Sequence, residues 1–162
     1  MRTIIYKALL ITSICVSFAA CKSAQGLSKE EKSALITNKL ESQNYTFTPR
    51  TAIPVSGKTI NLTLGYYSLR VTNDSVIAFL PYFGRAYTAP MDPSEGGIKF
   101  TSTDFKYQIG ERKKGMWDIS IETSDTQARA RLTLSVSDNG YASLTVLDNN
   151  RQSISFYGEI EE

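Results

Sequence analysis

From Tyr45 onward, apolar and polar residues alternate with a period of two, and this pattern limits the possible folds more than any other feature of the chain. Trp117, Ile119 and Ile121 alternate with polar neighbours, as do the apolar residues between Ala130 and Val136. Successive side chains of a β-strand point to opposite faces, so each such run predicts a strand with one apolar face and one wet face. The chain beyond residue 45 is therefore predicted to be mainly β.

Turn-forming residues separate these runs. Thr72–Ser75, Ser137–Gly140 and Leu147–Asn150 contain Asn, Asp or Gly, which tolerate positive φ and are typical of hairpins. Neighbouring strands should then pair antiparallel. The last three strands, at about 129–136, 141–146 and 152–157, are predicted to form a meander.

Two architectures accommodate eight or nine such strands without a helical crossover. One is a lipocalin-like up-and-down barrel, and the other is a two-layer β-sandwich. Short sequential hairpins favour the barrel, because closure removes the exposed edges of a single sheet. We expect one antiparallel β domain over residues 45–162, with the sandwich as the alternative.

A helix is predicted before the β domain, within residues 28–44. Ser28 and Glu31 have the Ser-x-x-Glu spacing of a capping box, and the helix is expected from about Lys29 to Gln43. Its apolar residues form only a narrow stripe, so it should contact the domain by one edge. These apolar residues are Ala34, Leu35, Ile36 and Leu40.

The first 20 residues have the composition of an export signal. Two basic residues precede an apolar run that is too short to remain as a membrane span, and the run ends in two alanines before Cys21. This pattern predicts a lipoprotein signal peptide over residues 1–20, a lipid on the Cys21 sulfur and a tether over residues 21–27. An ordinary secretory signal and an uncleaved anchor remain alternatives. The predicted location is the cell envelope, at the outer membrane, with its periplasmic face favoured.

The charge balance argues against nucleic acid as a partner. The chain has 18 Lys and Arg and 16 Asp and Glu, and loss of Arg2 and Lys7 with the signal would leave 16 of each. A neutral chain without a long basic stretch lacks the electrostatic footprint of a nucleic-acid-binding protein.

The sequence offers few candidate catalytic residues. The chain contains no histidine, which excludes Ser-His and Cys-His dyads and histidine-containing zinc sites. Carboxylates such as Asp118 and Glu122 fall on the polar side of an ordinary strand. We expect a protein that is not an enzyme and has no cofactor or metal.

One segment interrupts the alternation and is rich in aromatic residues. After the apolar run Val76–Leu80 come Tyr82, Phe83, Arg85 and Tyr87, among Pro and Gly residues. Such a loop either packs over the core or lines the mouth of a ligand site, because exposed aromatic rings are costly without a partner. In the second interpretation the rings provide stacking faces, and Arg85 provides a donor fork for a carboxylate, phosphate or sugar hydroxyl.

Several motifs resemble a known family. They are Leu80–Tyr87, Gly96–Phe100, Asn139–Gly140 and Asn150–Gly158. Together they are similar to the DUF4251 family of Bacteroidetes lipoproteins, and the likeness extends from about residue 35 to residue 160. The resemblance implies an exported lipoprotein of a Bacteroidetes organism. Because the family has no known function, it supplies no catalytic residues.

Two hypotheses for function follow. The first is a lipid-anchored binding module that holds a small apolar or amphipathic ligand in the barrel or at the aromatic loop. The second is an envelope interaction or structural lipoprotein that uses the aromatic loop as a contact patch. Both place the candidate site at Tyr82, Phe83, Arg85 and Tyr87, and both use the membrane as a partner through the lipid on Cys21.

Overall fold

The computed structural model describes residues 27–87, 96–113, 115–126 and 129–161. The signal peptide and most of the tether, predicted for residues 1–26, lie outside these ranges. The described chain forms helix α1 and a ten-stranded sheet. The elements are α1 (Lys29–Glu41), β1 (Tyr45–Pro54), β2 (Ile60–Asn61), β3 (Ser68–Val71), β4 (Val76–Leu80), β5 (Ile98–Ser102), β6 (Phe105–Lys113), β7 (Met116–Thr123), β8 (Arg131–Ser137), β9 (Tyr141–Asp148) and β10 (Arg151–Ile160).

Helix α1 begins at the predicted capping box. The Ser28 hydroxyl accepts a hydrogen bond from the Glu31 N–H at 3.2 Å, and the Ser28 N–H donates to the Glu31 carboxylate at 2.9 Å. These bonds satisfy two N–H groups that a helix start leaves unpaired, and they lower the pKa of Glu31. The helix ends at Glu41, slightly before the expected Gln43.

One edge of α1 packs on the barrel, as its narrow apolar stripe predicts. Ile36 and Leu40 are fully buried. The Tyr107 hydroxyl donates to the Leu40 carbonyl at 2.9 Å, and the Lys39 ammonium donates to the Glu161 carbonyl at 2.7 Å. The helix is therefore fixed to both β6 and the end of the chain after β10.

The sheet is antiparallel throughout and follows the order β5-β4-β3-β1-β10-β9-β8-β7-β6, with β2 added beside β1. The predicted terminal meander, β8-β9-β10, is confirmed. Strands β5 and β6 stand at opposite ends of this order, yet only Thr103 and Asp104 separate them in the chain. This short link brings the two edges of the sheet together. The result is a nearly closed barrel, as expected, and not a two-layer sandwich.

Asp125 stabilises this link from the neighbouring β7–β8 connection. Its carboxylate accepts hydrogen bonds from the Ser102 hydroxyl and from the N–H groups of Thr103 and Asp104, the latter two at 2.8 and 3.1 Å. The Ser124 N–H also donates to the Asp104 carbonyl at 2.8 Å. The bond from Ser102, followed by the backbone bonds, lowers the pKa of Asp125 to about 2.

Apolar side chains from all the long strands and from α1 fill the interior. The largest fully buried ones are Phe47, Phe156, Ile36, Leu40, Leu69, Leu80, Ile119, Ile121, Leu132, Leu134, Leu144 and Ile154. Trp117 is half-buried against the same cluster, in line with its position on an apolar face. Among the described residues the barrel interior is thus a packed core.

Ile60, Leu62 and Leu64 alternate with polar residues, which predicts a longer strand than the two-residue β2. Only Ile60 and Asn61 pair with β1, although the pattern continues to Leu64. Strand β3 already occupies the same side of β1 at Tyr45–Phe47. At Gly65 a positive φ of 72° turns the chain away, and Leu64 is left exposed.

Candidate functional site

The aromatic loop, residues 81–87, lies along the start of β10. Ala86 forms an isolated antiparallel bridge with Arg151. The Tyr87 N–H donates to the Asn150 carbonyl at 2.7 Å, and the Gln152 N–H donates to the Arg85 carbonyl at 3.1 Å. The backbone of the loop therefore pairs with the start of β10 and adds to the hydrogen bonding of the sheet there.

Tyr82 and Phe83 are the packed half of this loop. Both are partly buried against the core. The Tyr82 hydroxyl lies 2.8 Å from the Arg85 carbonyl and 3.1 Å from the Gln152 carbonyl, both of which are possible acceptors. Desolvation raises the pKa of Tyr82. The polar end of this side chain is therefore satisfied by backbone, which favours a role in packing.

Arg151 contacts the loop through the ring of Tyr82. Its guanidinium carbon lies 5.0 Å from the centre of the Tyr82 ring, and its Nη1 donates to the Gly97 carbonyl at 3.0 Å. Its Nε lies 2.9 Å from Oδ2 of Asp148, although the N–H is not aligned for a hydrogen bond, so this contact is an ion pair. The Asp148 side chain is only 5% exposed, and its Oδ1 accepts from the Asn150 N–H at 2.7 Å.

Arg85 and Tyr87 are the exposed half of the loop. The Tyr87 side chain is 70% exposed, and Arg85 is also exposed. The structure therefore brings the four predicted site residues into one short loop but divides them, two towards the core and two towards solvent. None of these four residues lines either of two surface grooves, one beside Glu122 and Arg131 and the other beside Tyr141 and Tyr157.

The first groove, about 640 Å³, carries charged residues on the outer face. Both of its carboxylates have cationic partners. Glu122 lies 2.9 Å from Arg131, and Asp148 lies 2.9 Å from Arg151. The Glu122–Arg131 pair is about half exposed, as expected for solvated charges on a strand. Exposed pairs of this kind contribute little and are common on protein surfaces.

The second groove, about 460 Å³, lies on the outer face of β1, β10, β9 and β8, and we call it the tyrosine groove. Tyr141 and Tyr157 are its large side chains, 61% and 54% exposed. Tyr141 pairs with Glu159 and Tyr157 pairs with Ser143, so the tyrosines are diagonal neighbours on adjacent strands. Such neighbours have Cα atoms roughly 7–8 Å apart. The lining residues are Arg50, Thr51, Met116, Ser135, Ser137, Tyr141, Ala142, Ser143, Tyr157 and Gly158.

A β-bulge shapes one wall of the tyrosine groove. The register between β1 and β10 shifts between Pro49 and Thr51, and Arg50, the residue between them, is exposed. Its guanidinium pairs with the Glu159 carboxylate at 2.6 Å, which raises the pKa of Arg50. Gly158 allows this geometry, because a Cβ there would collide with the Thr48 carbonyl.

Small residues form the floor of the groove. Ser135, Ser137 and Ser143 carry short side chains, and their strands β8 and β9 lie between Met116 on β7 and Tyr157 on β10. The groove thus combines aromatic faces, an apolar thioether, hydroxyls and one guanidinium. That composition suits a ligand with an apolar body and a polar end.

The sequence contained a signal for these tyrosines that the alternation alone did not single out. Tyr141 precedes the buried Ala142, and Tyr157 follows the buried Phe156, so both occupy polar-face positions of their strands. A large aromatic ring at such a position is the feature that would identify this surface. The groove also requires Arg50 and Met116, which come from distant parts of the chain.

The described residues contain no cluster of three or more Cys, Asp or Glu residues arranged to hold a metal ion. Within the same ranges, no helix has both the length and the apolar character needed to cross a bilayer.

The profile of a family described as "Domain of unknown function (DUF4251)" matches residues 27–160. This chain belongs to the DUF4251 family. A crystal structure of a DUF4251 family protein from Bacteroides eggerthii DSM 20697 is similar in fold, with a TM-score of 0.59 and 14% identity over 80% of this chain and 86% of that one. No curated protein matches the chain. The expected family is confirmed, and the family itself supplies no activity.

Proposed function

We propose that this protein is a non-enzymatic binding module of the cell envelope, anchored by a lipid on Cys21, that holds a small amphipathic ligand in the tyrosine groove. The main support for this proposal is that Tyr141 and Tyr157 are exposed diagonal neighbours on one outer face. The absence of histidine from the sequence supports a binding role over acid–base chemistry at this site.

The packed interior favours an outer site over one inside the barrel. Phe47, Phe156 and Leu144 are fully buried in the centre, and space for a ligand there would require displacing such side chains. The tyrosine groove needs no rearrangement, and its 460 Å³ lies within the usual size range of small-molecule sites.

Binding in this groove would use stacking and a few polar contacts. The tyrosine rings and Met116 offer apolar contact to the body of the ligand, and Arg50 and the Ser143 hydroxyl offer contacts to its polar end. A ligand of about 15 non-hydrogen atoms, at about 0.3 kcal/mol for each, would gain roughly 5 kcal/mol. That free energy corresponds to a Kd on the order of 0.1–1 mM.

A fluorescent probe tests this site. The chain without its signal peptide and Cys21, residues 22–162, is titrated with N-phenyl-1-naphthylamine, an apolar amine whose emission rises on binding. The double substitution Tyr141→Ala and Tyr157→Ala should weaken binding at least about tenfold, since two aromatic contacts of about 1 kcal/mol each are removed.

Tyr66→Ala is the matched control. Tyr66 is 62% exposed, nearly the same fraction as Tyr141 at 61%. Its ring, however, packs edge-on against Tyr67 at 4.8 Å and Phe79 at 5.6 Å. This substitution should leave probe binding unchanged. Equal binding by the double variant and the unmodified chain would exclude the tyrosine groove as the site.

A second candidate function is contact with another envelope protein through the aromatic loop. The observation that favours it is Tyr87, whose ring is 70% exposed on a backbone fixed to Asn150. Exposed aromatic rings on a fixed backbone are typical of contact residues. Arg85→Ala with Tyr87→Ala should remove a co-purifying envelope protein. Recovery of the same proteins with this variant would argue against the contact patch.

A further inference from the structure

The position of the tyrosine groove relative to the anchor suggests the source of its ligand. We propose that the groove faces the bilayer and binds the headgroup end of a phospholipid of the membrane to which Cys21 is anchored. This inference rests on the proposed function, because it names the ligand class of the same site.

The start of α1 lies beside the groove. The Lys29 ammonium is 3.6 Å from the Asp138 carboxylate, which lies in the β8–β9 turn. In that same turn the Ser137 hydroxyl donates to the Tyr141 carbonyl at 2.8 Å. Ser137 and Tyr141 both line the groove. The chain therefore enters the domain next to one end of the groove.

The tether is short compared with the domain. Six residue steps separate Cys21 from Leu27, and at about 3.3–3.6 Å per residue they span at most roughly 20 Å. A compact domain of about 140 residues has a radius of gyration near 14 Å, which corresponds to a diameter of roughly 37 Å. A tether of this length cannot let the far side of the barrel rest on the bilayer. The side next to the start of α1 is the side that reaches it.

The chemistry of the groove suits the membrane interface. Tyrosine side chains are enriched at the headgroup level, where the ring contacts apolar chains and the hydroxyl remains hydrated. Nearby charges are paired, Arg50 with Glu159 and Lys29 with Asp138. We therefore expect docking on zwitterionic lipid, without a requirement for anionic lipid.

Spin labels on the lipidated full-length protein test this orientation. Cys15 leaves with the signal and the Cys21 sulfur carries the lipid, so an introduced cysteine is the single free thiol of the mature protein. The test site is Ser143→Cys in the groove. The matched control is Thr101→Cys on β5, which is exposed and lies across the barrel from β9 in the strand order.

Each labelled protein is placed in phosphatidylcholine vesicles, and collisions of the nitroxide with oxygen and with a water-soluble nickel chelate are compared. The oxygen-to-nickel ratio should be several-fold higher at residue 143 than at residue 101. Adding Tyr141→Ser and Tyr157→Ser to the residue 143 variant should lower its ratio to that of residue 101. Circular dichroism checks that every variant is folded.

Three results would overturn the proposal. Equal ratios at the two sites, together with probe binding that depends on Tyr141 and Tyr157, would show that the groove binds ligands but does not face the bilayer. Equal ratios without such probe binding would contradict the proposed function as well. A high ratio at residue 143 that survives the tyrosine substitutions would show that the tether alone orients this face, and that the groove does not bind lipid.

Discussion

The aromatic loop and the tyrosine groove contain similar residues in opposite situations. In the loop, the Tyr82 hydroxyl bonds to backbone carbonyls, and Arg151 lies against its ring. In the groove, Tyr141 and Tyr157 stand on regular strands with more than half of each side chain exposed. An aromatic ring whose polar end is satisfied within the fold serves packing, whereas an exposed ring on a rigid strand is available to a ligand.

The strongest test of this difference is Arg151→Met. The substitution removes an ion pair to the nearly buried Asp148, a hydrogen bond to the Gly97 carbonyl and the contact with the Tyr82 ring. A carboxylate left buried without its partner costs about 3 kcal/mol. Urea unfolding should show a loss of this size.

Arg131→Met is the control for charge removal alone. Arg131 pairs with Glu122 at a similar distance, but both side chains are about half exposed. The free energy of unfolding should fall by less than about 1 kcal/mol. Similar losses for both variants would mean that Arg151 does not fasten the loop in the way its contacts indicate.

A second fastened region, the β5–β6 link, is expected to respond to acid. The lowered pKa of Asp125, about 2 against an ordinary 3.8, means that its ionised form stabilises the fold above pH 4. This contribution is lost as the pH falls from about 4 towards 2. Asp125→Asn should reduce the slope of stability against pH in that window.

The measurement is urea unfolding at several pH values between 2 and 6. Glu31 and Asp74 also have lowered pKa values, so the variant should keep part of the slope. A variant that follows the pH dependence of the unmodified protein throughout this window would show that Asp125 does not hold the link as a carboxylate.

A smaller effect is expected from Tyr82→Phe. The ring and its packing remain, and only the hydroxyl that reaches the Arg85 and Gln152 carbonyls is removed. The expected loss is about 1 kcal/mol of unfolding free energy. Tyr87→Phe provides the comparison within the same loop and should change stability little, because Tyr87 is exposed. Thermal or urea unfolding of the pair distinguishes the packed half of the loop from its exposed half.

The smallest effect on stability is expected in the groove. Tyr141→Ser and Tyr157→Ser each change an exposed side chain, so each should alter the free energy of unfolding by no more than about 0.5 kcal/mol. A large loss measured by urea unfolding would place these tyrosines among the structural residues and would remove the contrast with Tyr82.

The loop and the groove also differ in how readily the sequence alone identifies them as candidate sites. The loop was conspicuous because Tyr82, Phe83 and Tyr87 are close together in the sequence. The groove was not, since Tyr141 and Tyr157 are separated by a turn and each interrupts an otherwise regular alternation. Only the pairing of β9 with β10 makes them neighbours.

The sequence by itself determined the local structure of this protein. The capping box starts α1, the alternation sets which side chains of the long strands face inward, and the Asn, Asp and Gly turns place the hairpins. These features depend on residues a few positions apart, whose geometry the backbone fixes directly. The same local pattern overestimated β2, because the space beside β1 is limited by β3.

Only the tertiary structure decided how the sheet closes and what its outer face presents. The two-residue link between β5 and β6 brings the sheet edges together, and apolar side chains fill the space that closure creates. The bulge at Arg50 and the register of β7 to β10 assemble the tyrosine groove from residues 50 to 158. Pairing register between distant strands depends on the packing of the whole barrel, which no short stretch of sequence encodes.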